Sequence, residues 1–375
     1  MEKRLFNGKQ LTFARKARGL TMKALAEQAN ISRQMISSYE SGKTIPTGKN
    51  ILKLAQVLDF PSSFFSREVE ALTSDGMFFR SQSAATKRAR DMQKMDLTFS
   101  NSIYNLLKKY VEFPVVNLPQ LYVDDYKELT SEIIKDKATE LREIWGIDNN
   151  SPIPNLIRIM EANGFIVTKS NMENPKIDAV SKWVLDRPFV IFTDNGESAV
   201  RRRFNAAHEI GHIILHSEIE SIYDLNATEL KKIEKQANEF ASYFLLPDDA
   251  FLDSLVTINL EGFIQLKKYW LVSIGAMVMK TYNLGILNDN QYTYIQKKMS
   301  KNRWKKVEPL DNELNVEQPS VFLEVYKMLV ESGLFNNISL NTKIGLPQDY
   351  LRNMIGDCIL VKPKATDDVH LRLIK

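Results

Sequence analysis

The chain of 375 residues carries 50 Lys and Arg against 46 Asp and Glu, with 44% hydrophobic and 26% charged residues. That balance excludes a disordered or fibrous chain and suits two or three globular domains. Its single cysteine, Cys358, excludes an internal disulfide framework and a cysteine-rich metal site. No apolar run approaches the ~20 residues of a bilayer span and no apolar signal region opens the chain, so a cytoplasmic protein without membrane contact is expected.

The net charge of +4 is unevenly placed: residues 1–67 hold twelve Lys and Arg and four Asp and Glu, net +8, which leaves −4 on the remainder. A basic head on a mildly acidic body points to an anionic partner of the head, double-stranded DNA being the expected one.

The head reads as short helices. Gln10 to Arg18 forms one. Thr21 is a good N-cap for Met22 to Ala29, and Asn30 suits the left-handed turn that follows. Ser32 caps Arg33 to Glu40, which Gly42 ends, and a fourth helix covers about Lys49 to Leu58 before Pro61. Two short helices joined by a three-to-four-residue turn make a helix-turn-helix. The second would enter the major groove with Arg33, Gln34, Ser37 and Ser38 outward and Met35, Ile36 and Tyr39 toward its own core. Arg15, Lys23 and Lys43 are expected to position phosphates. The run Leu20-Thr21, Leu25-Ala26, Ile31-Ser32 and Ile36-Ser37-Ser38-Tyr39-Glu40-Ser41-Gly42-Lys43 resembles the Cro/CI-type (Xre) helix-turn-helix family, with Asn30 where a Gly is common. The resemblance implies operator binding as a homodimer.

Ser62 to Gly76 reads as a linker. A long helical stretch from about Ala84 to Tyr110 follows, with a solvated face, and another helix spans about Asp125 to Trp145. Pro154 to Asn163 is helical and Gly164 stops it. Phe165 to Lys169 is strand-like, and Ala179–Val184 with Pro188–Phe192 makes a hairpin, followed by a turn at Asp194-Asn195-Gly196. A small sheet ahead of a long helix is the layout of a zincin-like α+β domain.

That helix holds His208-Glu209-Ile210-Gly211-His212, the H-E-x-x-H pattern, with His216 one turn further. Positions i and i+4 share a helix face, so His208 and His212 can point two imidazoles at one Zn2+, with Glu209 beside it as the catalytic base. A catalytic zinc needs a third protein ligand. Three residues on one straight stripe spread over about 12 Å, so His216 is expected to support the site rather than ligate. Glu234 lies at the edge of an apolar stripe of Ile233, Ala237, Phe240 and Phe244 on a helix that Thr228 would cap; Glu239 faces away. Spacing alone leaves Glu234 open between a ligand and a surface charge.

Arg202-Arg203-Phe204, Ala207 to His216, Glu234 to Ala241 and Leu245-Leu246-Pro247 resemble the ImmA/IrrE family of metallopeptidases, from about Phe78 to about Lys298. The resemblance implies Glu234 as third zinc ligand, in a gluzincin-like set, and Asn238 as its supporting neighbour. Asn205 replaces a common Asp. Asn205, His216 or a tyrosine could stabilise the oxyanion.

Beyond the body, Arg303 to Ser320 reads as a linker, Val321 to Leu334 as a helix, and Gly345 to Leu351 as the start of another. The expected organisation is an all-α helix-turn-helix head (1–66), a linker and helical connector (67–150), an α+β zincin-like peptidase (151–300) and a mainly helical C-terminal module (301–375). The leading expectation is a DNA-binding transcriptional regulator whose zinc endopeptidase cleaves a regulator, a repressor by the resemblance, in a mobile element or stress response. The alternative is a non-proteolytic repressor or antitoxin whose zinc domain binds a partner, such as a cognate toxin, or senses a signal.

Overall fold

Local capping chemistry sets the head. Thr21 Oγ1 accepts from Ala24 N at 3.1 Å, Ser32 Oγ from Met35 N at 3.3 Å, and Thr47 Oγ1 from Asn50 N at 3.4 Å. These caps start helices α2 (Met22–Ala29), α3 (Arg33–Glu40) and α4 (Gly48–Leu58), which follow α1 (Gly8–Ala17). Asn30 takes φ 51°, the left-handed turn between α2 and α3. Leu11, Leu25, Ile36, Leu54 and Leu58 form the core between them. The computed structural model describes residues 6–67, 72, 78–79, 86–123, 125–170, 179–193, 196–219, 224–335, 342–356 and 372–373. Asp194 and Asn195 of the expected turn, and Cys358, lie outside them.

The expected linker after Pro61 begins instead as part of the head. Ser62–Ser66 is a 3-10 turn that buries Phe64 and Phe65, and Asn7 donates to Arg67 O at 2.9 Å and its own N–H to Phe65 O at 2.6 Å. Two adjacent phenylalanines gain more by burial than a linker tolerates. Most of the remaining linker lies outside the described residues.

Helix α5 (Lys87–Leu107) was expected to keep a solvated face. From Gln93 onward it is buried almost throughout, because head and sheet cover opposite sides of it. Lys16 of α1 pairs with Asp91 at 3.0 Å on one side, and Ser170 donates to Asp96 on the other.

The main sheet has the order β1-β4-β5-β3 (Phe78–Phe79, Ala179–Val184, Arg187–Thr193, Ile166–Ser170). β4 and β5 form an antiparallel hairpin and β3 runs parallel to β5, so the sheet is mixed. Every residue of β5 is buried, as a strand covered on both faces requires. Phe78 and Phe79 pair with Ser181 and Val180 along the outer edge of β4. A short second sheet pairs β2 (Val111–Glu112) with β6 (Arg372–Leu373).

Helices α6 (Ser131–Ile144) and α7 (Leu156–Ala162) lie in the chain between β1 and β3, and α8 (Ala199–Leu215) and α9 (Ala227–Leu245) follow β5. Asn226, not Thr228, caps α9. Its side chain accepts from Thr228 N and Glu229 N, and Glu229 reaches back to Asn226 N at 3.0 Å, a complete capping box. The helices α10 (Asp248–Ser254), α11 (Leu260–Trp270), α12 (Ile274–Asn283) and α13 (Asp289–Lys301) extend this second core. Among the described residues, no helix is long and apolar enough to cross a membrane.

Residues 303–320, expected as a linker, are a strap fastened by charges. Lys267, with no exposed side-chain surface, pairs with Glu308 at 2.9 Å and Asp311 at 2.6 Å. Arg203 pairs with Glu317. Glu161 accepts from Ser320 N at 2.9 Å and Val321 N at 3.0 Å at the start of α14 (Val321–Glu331). Buried cations need partners, and the acidic strap supplies them. Helix α15 (Gln348–Ile355) then returns to the head: Asp349 meets Arg18 at 2.5 Å and Tyr350 donates to Ala17 O at 3.0 Å.

Candidate metal centre and nucleic-acid interface

Helix α8 crosses α9 at Gly211. A Cβ there would lie 3.2 Å from Phe240 Cβ and 3.3 Å from Ala237 Cα, so the hydrogen side chain permits this approach. The crossing carries Glu234 of α9 to the histidine face of α8. His208 Nε2 and His212 Nε2 are 3.0 Å apart, and each is 3.5 Å from an oxygen of Glu234. A tetrahedral ion with bonds near 2.0–2.1 Å sets ligand-to-ligand separations of roughly 3.4 Å, so the three donors fit one such ion. They are the group of described residues able to hold a metal. Both imidazoles are buried, whereas the Glu234 side chain keeps 31% of its surface exposed, which leaves the centre one open side. Burial alone would raise the Glu234 carboxyl, but its contacts with His208 and His212 hold it well below the usual range.

Each imidazole is oriented from behind. His208 Nδ1 lies 3.1 Å from Asn238 Oδ1; Asn238 thus supports His208 rather than Glu234, the neighbour expected from the sequence. His212 Nδ1 lies 3.0 Å from His216 Nδ1, and His216 Nε2 lies 3.1 Å from Gln236 Oε1. Gln236 Nε2 donates to Tyr126 O at 2.7 Å, which sets the amide with its oxygen toward His216. His216 therefore donates from Nε2 and accepts at Nδ1, and His212 donates from Nδ1 and keeps its Nε2 lone pair for the centre. Burial, then the neighbouring His212, push the His216 pKa well below its ordinary value, consistent with the neutral ring this chain needs. His216 follows Leu215, the last residue of α8, with φ −128°, so it has left the helical stripe.

Glu209 is fully buried, and Ser181 of β4 donates to its Oε2 at 2.5 Å. Two expected candidates for the oxyanion role have other partners. Asn205 Nδ2 donates to Glu197 Oε2 at 2.7 Å, and the His216 ring is bound as above. Sequence reading missed Ser181 and Gln236. Each left a weak signal, a small polar residue within an apolar strand and a glutamine on the stripe of Ile233 and Phe240. Glu239 meets Ser131 at 3.3 Å and Lys235 at 3.5 Å, apart from the triad.

On the head, Arg33, Gln34 and Ser37 of α3 are exposed, as are Lys23 and Lys43, while Ser38 is half-buried with its Oγ 3.4 Å from Thr44 Oγ1. Arg15 contradicts its expected place on the phosphates. It is buried, with its Nε and Nη2 at 2.5 and 2.8 Å from the two Glu40 oxygens and Nη1 on Leu20 O. A buried guanidinium is retained by such a bidentate partner and is closed to DNA. Met35, expected in the core, is 36% exposed.

Two protein-family models match parts of the chain. The model of the IrrE N-terminal-like domain matches residues 160–282, which include Ser181, Glu209 and the triad, and a helix-turn-helix model matches residues 13–65. No curated protein matches the chain. The protein thus unites in one polypeptide a helix-turn-helix domain of the Xre type and a domain of the IrrE/ImmA-like peptidase family.

Proposed function

We propose that this protein is a DNA-tethered, zinc-dependent endopeptidase that cleaves a regulator protein, a transcriptional repressor, and so switches gene expression. The reading rests on one observation: two oriented imidazoles and a carboxylate at tetrahedral spacing, with the buried Glu209 one residue beyond the first imidazole. Zinc suits two nitrogens and one oxygen, and when bound it polarises a carbonyl and lowers the pKa of water toward ~7. Asn238 and His216 hold the imidazoles in the tautomers that present Nε2. Glu209, positioned by Ser181, takes the proton of the attacking water and delivers it to the nitrogen of the peptide bond that breaks. The strip of Arg33, Gln34 and Ser37 reads base edges in the major groove of an operator bound by two copies, with Lys23 and Lys43 on phosphates.

The test compares new protein N-termini in cells expressing wild type or Glu209→Gln, with zinc content measured on both purified proteins. A fragment made only by wild type, at equal zinc, supports a peptidase and identifies its substrate. No wild-type-specific fragment under any inducing condition, with operator repression intact in both, overturns it in favour of a non-proteolytic regulator.

A further inference from the structure

A cleft of about 1000 Å³ opens directly beside the triad, between α9 and α12. Glu234 and Asn238 are among its lining residues. Leu230, Ala276, Met279 and Leu284 supply its apolar walls, and Phe204, one helical turn before His208, closes it toward α8. A larger cleft, about 1480 Å³, lies between the head and α5 and contains no triad residue, so the smaller one is the space continuous with the chemistry.

Three lysines and three carboxylates line it, and most of these charges have partners. Lys280 is buried at the base but is neutralised by Asp248 at 2.6 Å, which Lys135 also meets at 2.7 Å. Lys235 is held loosely by Glu239 at 3.5 Å. Lys231 is exposed on the rim and, among the described residues, makes no ion pair. Met279 is 44% exposed inside this space, a large adaptable apolar side chain left facing solvent.

Resting on the peptidase reading above, we infer that this cleft selects the substrate: it takes an apolar side chain of a polypeptide against Met279 and an acidic side chain nearby at Lys231. Met279 and Lys231 are then specificity-determining residues. The apolar walls exclude a charged side chain, which would lose its water without gaining a partner. Lys231 favours a carboxylate in the flanking sequence and repels a basic one.

Binding tests this apart from turnover. The probes are two fluorescein-labelled octapeptides that differ only in a central Leu or Lys, each with one Glu three residues away. They are titrated into full-length, zinc-loaded Glu209→Gln protein and into the same protein carrying Met279→Asp or Lys231→Glu. The Leu peptide is expected to bind at least about tenfold tighter than the Lys peptide. Met279→Asp should erase that preference, and Lys231→Glu should weaken the Leu peptide and tighten a version with Glu replaced by Lys. Equal binding of both peptides, or a preference that survives Met279→Asp, overturns the inference. Incubating wild type with the same peptides reports on the peptidase reading alone: selective binding without cleavage by wild type keeps the cleft and removes the hydrolase.

Discussion

His212 and His216 face each other through their Nδ1 atoms at 3.0 Å, so the ring that does not join the triad decides the tautomer of the ring that does. Because His216 also needs Gln236 Oε1 to fix its own proton, the chain from Tyr126 O to His212 Nε2 acts as a unit. Gln236→Ala and His216→Ala are expected to lower metal affinity by about 10–100-fold each without unfolding the domain. Chelator competition followed by a zinc-sensitive dye checks this. Their effects should not add, since either one breaks the same chain, and wild-type affinity in both variants rules the relay out.

Among the described residues, Ser181 Oγ bonds Glu209 Oε2 and no atom of the triad. Ser181→Ala should therefore leave zinc content unchanged and slow cleavage, by less than the roughly 10²–10⁴-fold expected for Glu209→Gln. Loss of zinc from Ser181→Ala would show that the serine shapes the metal centre rather than the base.

The exposed face of α3 predicts a division of labour on DNA. Arg33→Ala with Gln34→Ala should abolish preference for the operator while retaining zinc. Lys43→Ala should weaken specific and non-specific binding alike and reduce the salt slope by about one. Electrophoretic or fluorescence titrations at several salt concentrations separate the two. Operator preference retained without Arg33 and Gln34 would move recognition elsewhere.

Arg15 sits with Glu40 in a pair whose side chains are 10% and 5% exposed. Arg15→Ala is expected to cost about 3–5 kcal/mol, because it strands a buried carboxylate, whereas Arg15→Met with Glu40→Leu should recover most of the loss. Thermal or urea unfolding of the full chain measures both. Weakened DNA binding at unchanged stability would instead put Arg15 on the phosphates.

Burial raises Asp96 from 3.8 to about 7, opposed by the Ser170 hydroxyl; Asp349 adds to the rise and Arg18 works against it. The folded protein then keeps a proton that the unfolded chain has lost between about pH 4 and 7. The contribution of Asp96 to stability falls as pH rises through that window, by at most about 1.4 kcal/mol per unit, and levels off above 7. Asp96→Asn should remove that slope, so its advantage over wild type grows from pH 4 to 7. Parallel stability profiles of the two proteins would show that Asp96 is ionised in the fold.

Much of the local architecture was legible in the residues. The caps Thr21 and Ser32, the left-handed Asn30, and the strand-like run Ala179–Val184 act within a few residues, so local side-chain chemistry determines these elements directly. The i, i+4 spacing of His208 and His212 likewise determines which face they share. What depends on distant chain was decided only by packing. Arg15 lies on the basic head in sequence but is drawn inward by Glu40, 25 residues later. The apparent linker 303–320 is a strap because Lys267 and Arg203 need carboxylates where the chain happens to pass, and because Glu161 of α7 holds the N-terminus of α14. Ser181 meets Glu209, and Asn238 meets His208 rather than Glu234, through the packing of β4 against α8 and a helix crossing that no spacing encodes. A buried polar group takes its partner from whatever the fold brings within about 3 Å, and that proximity is a property of the tertiary structure alone.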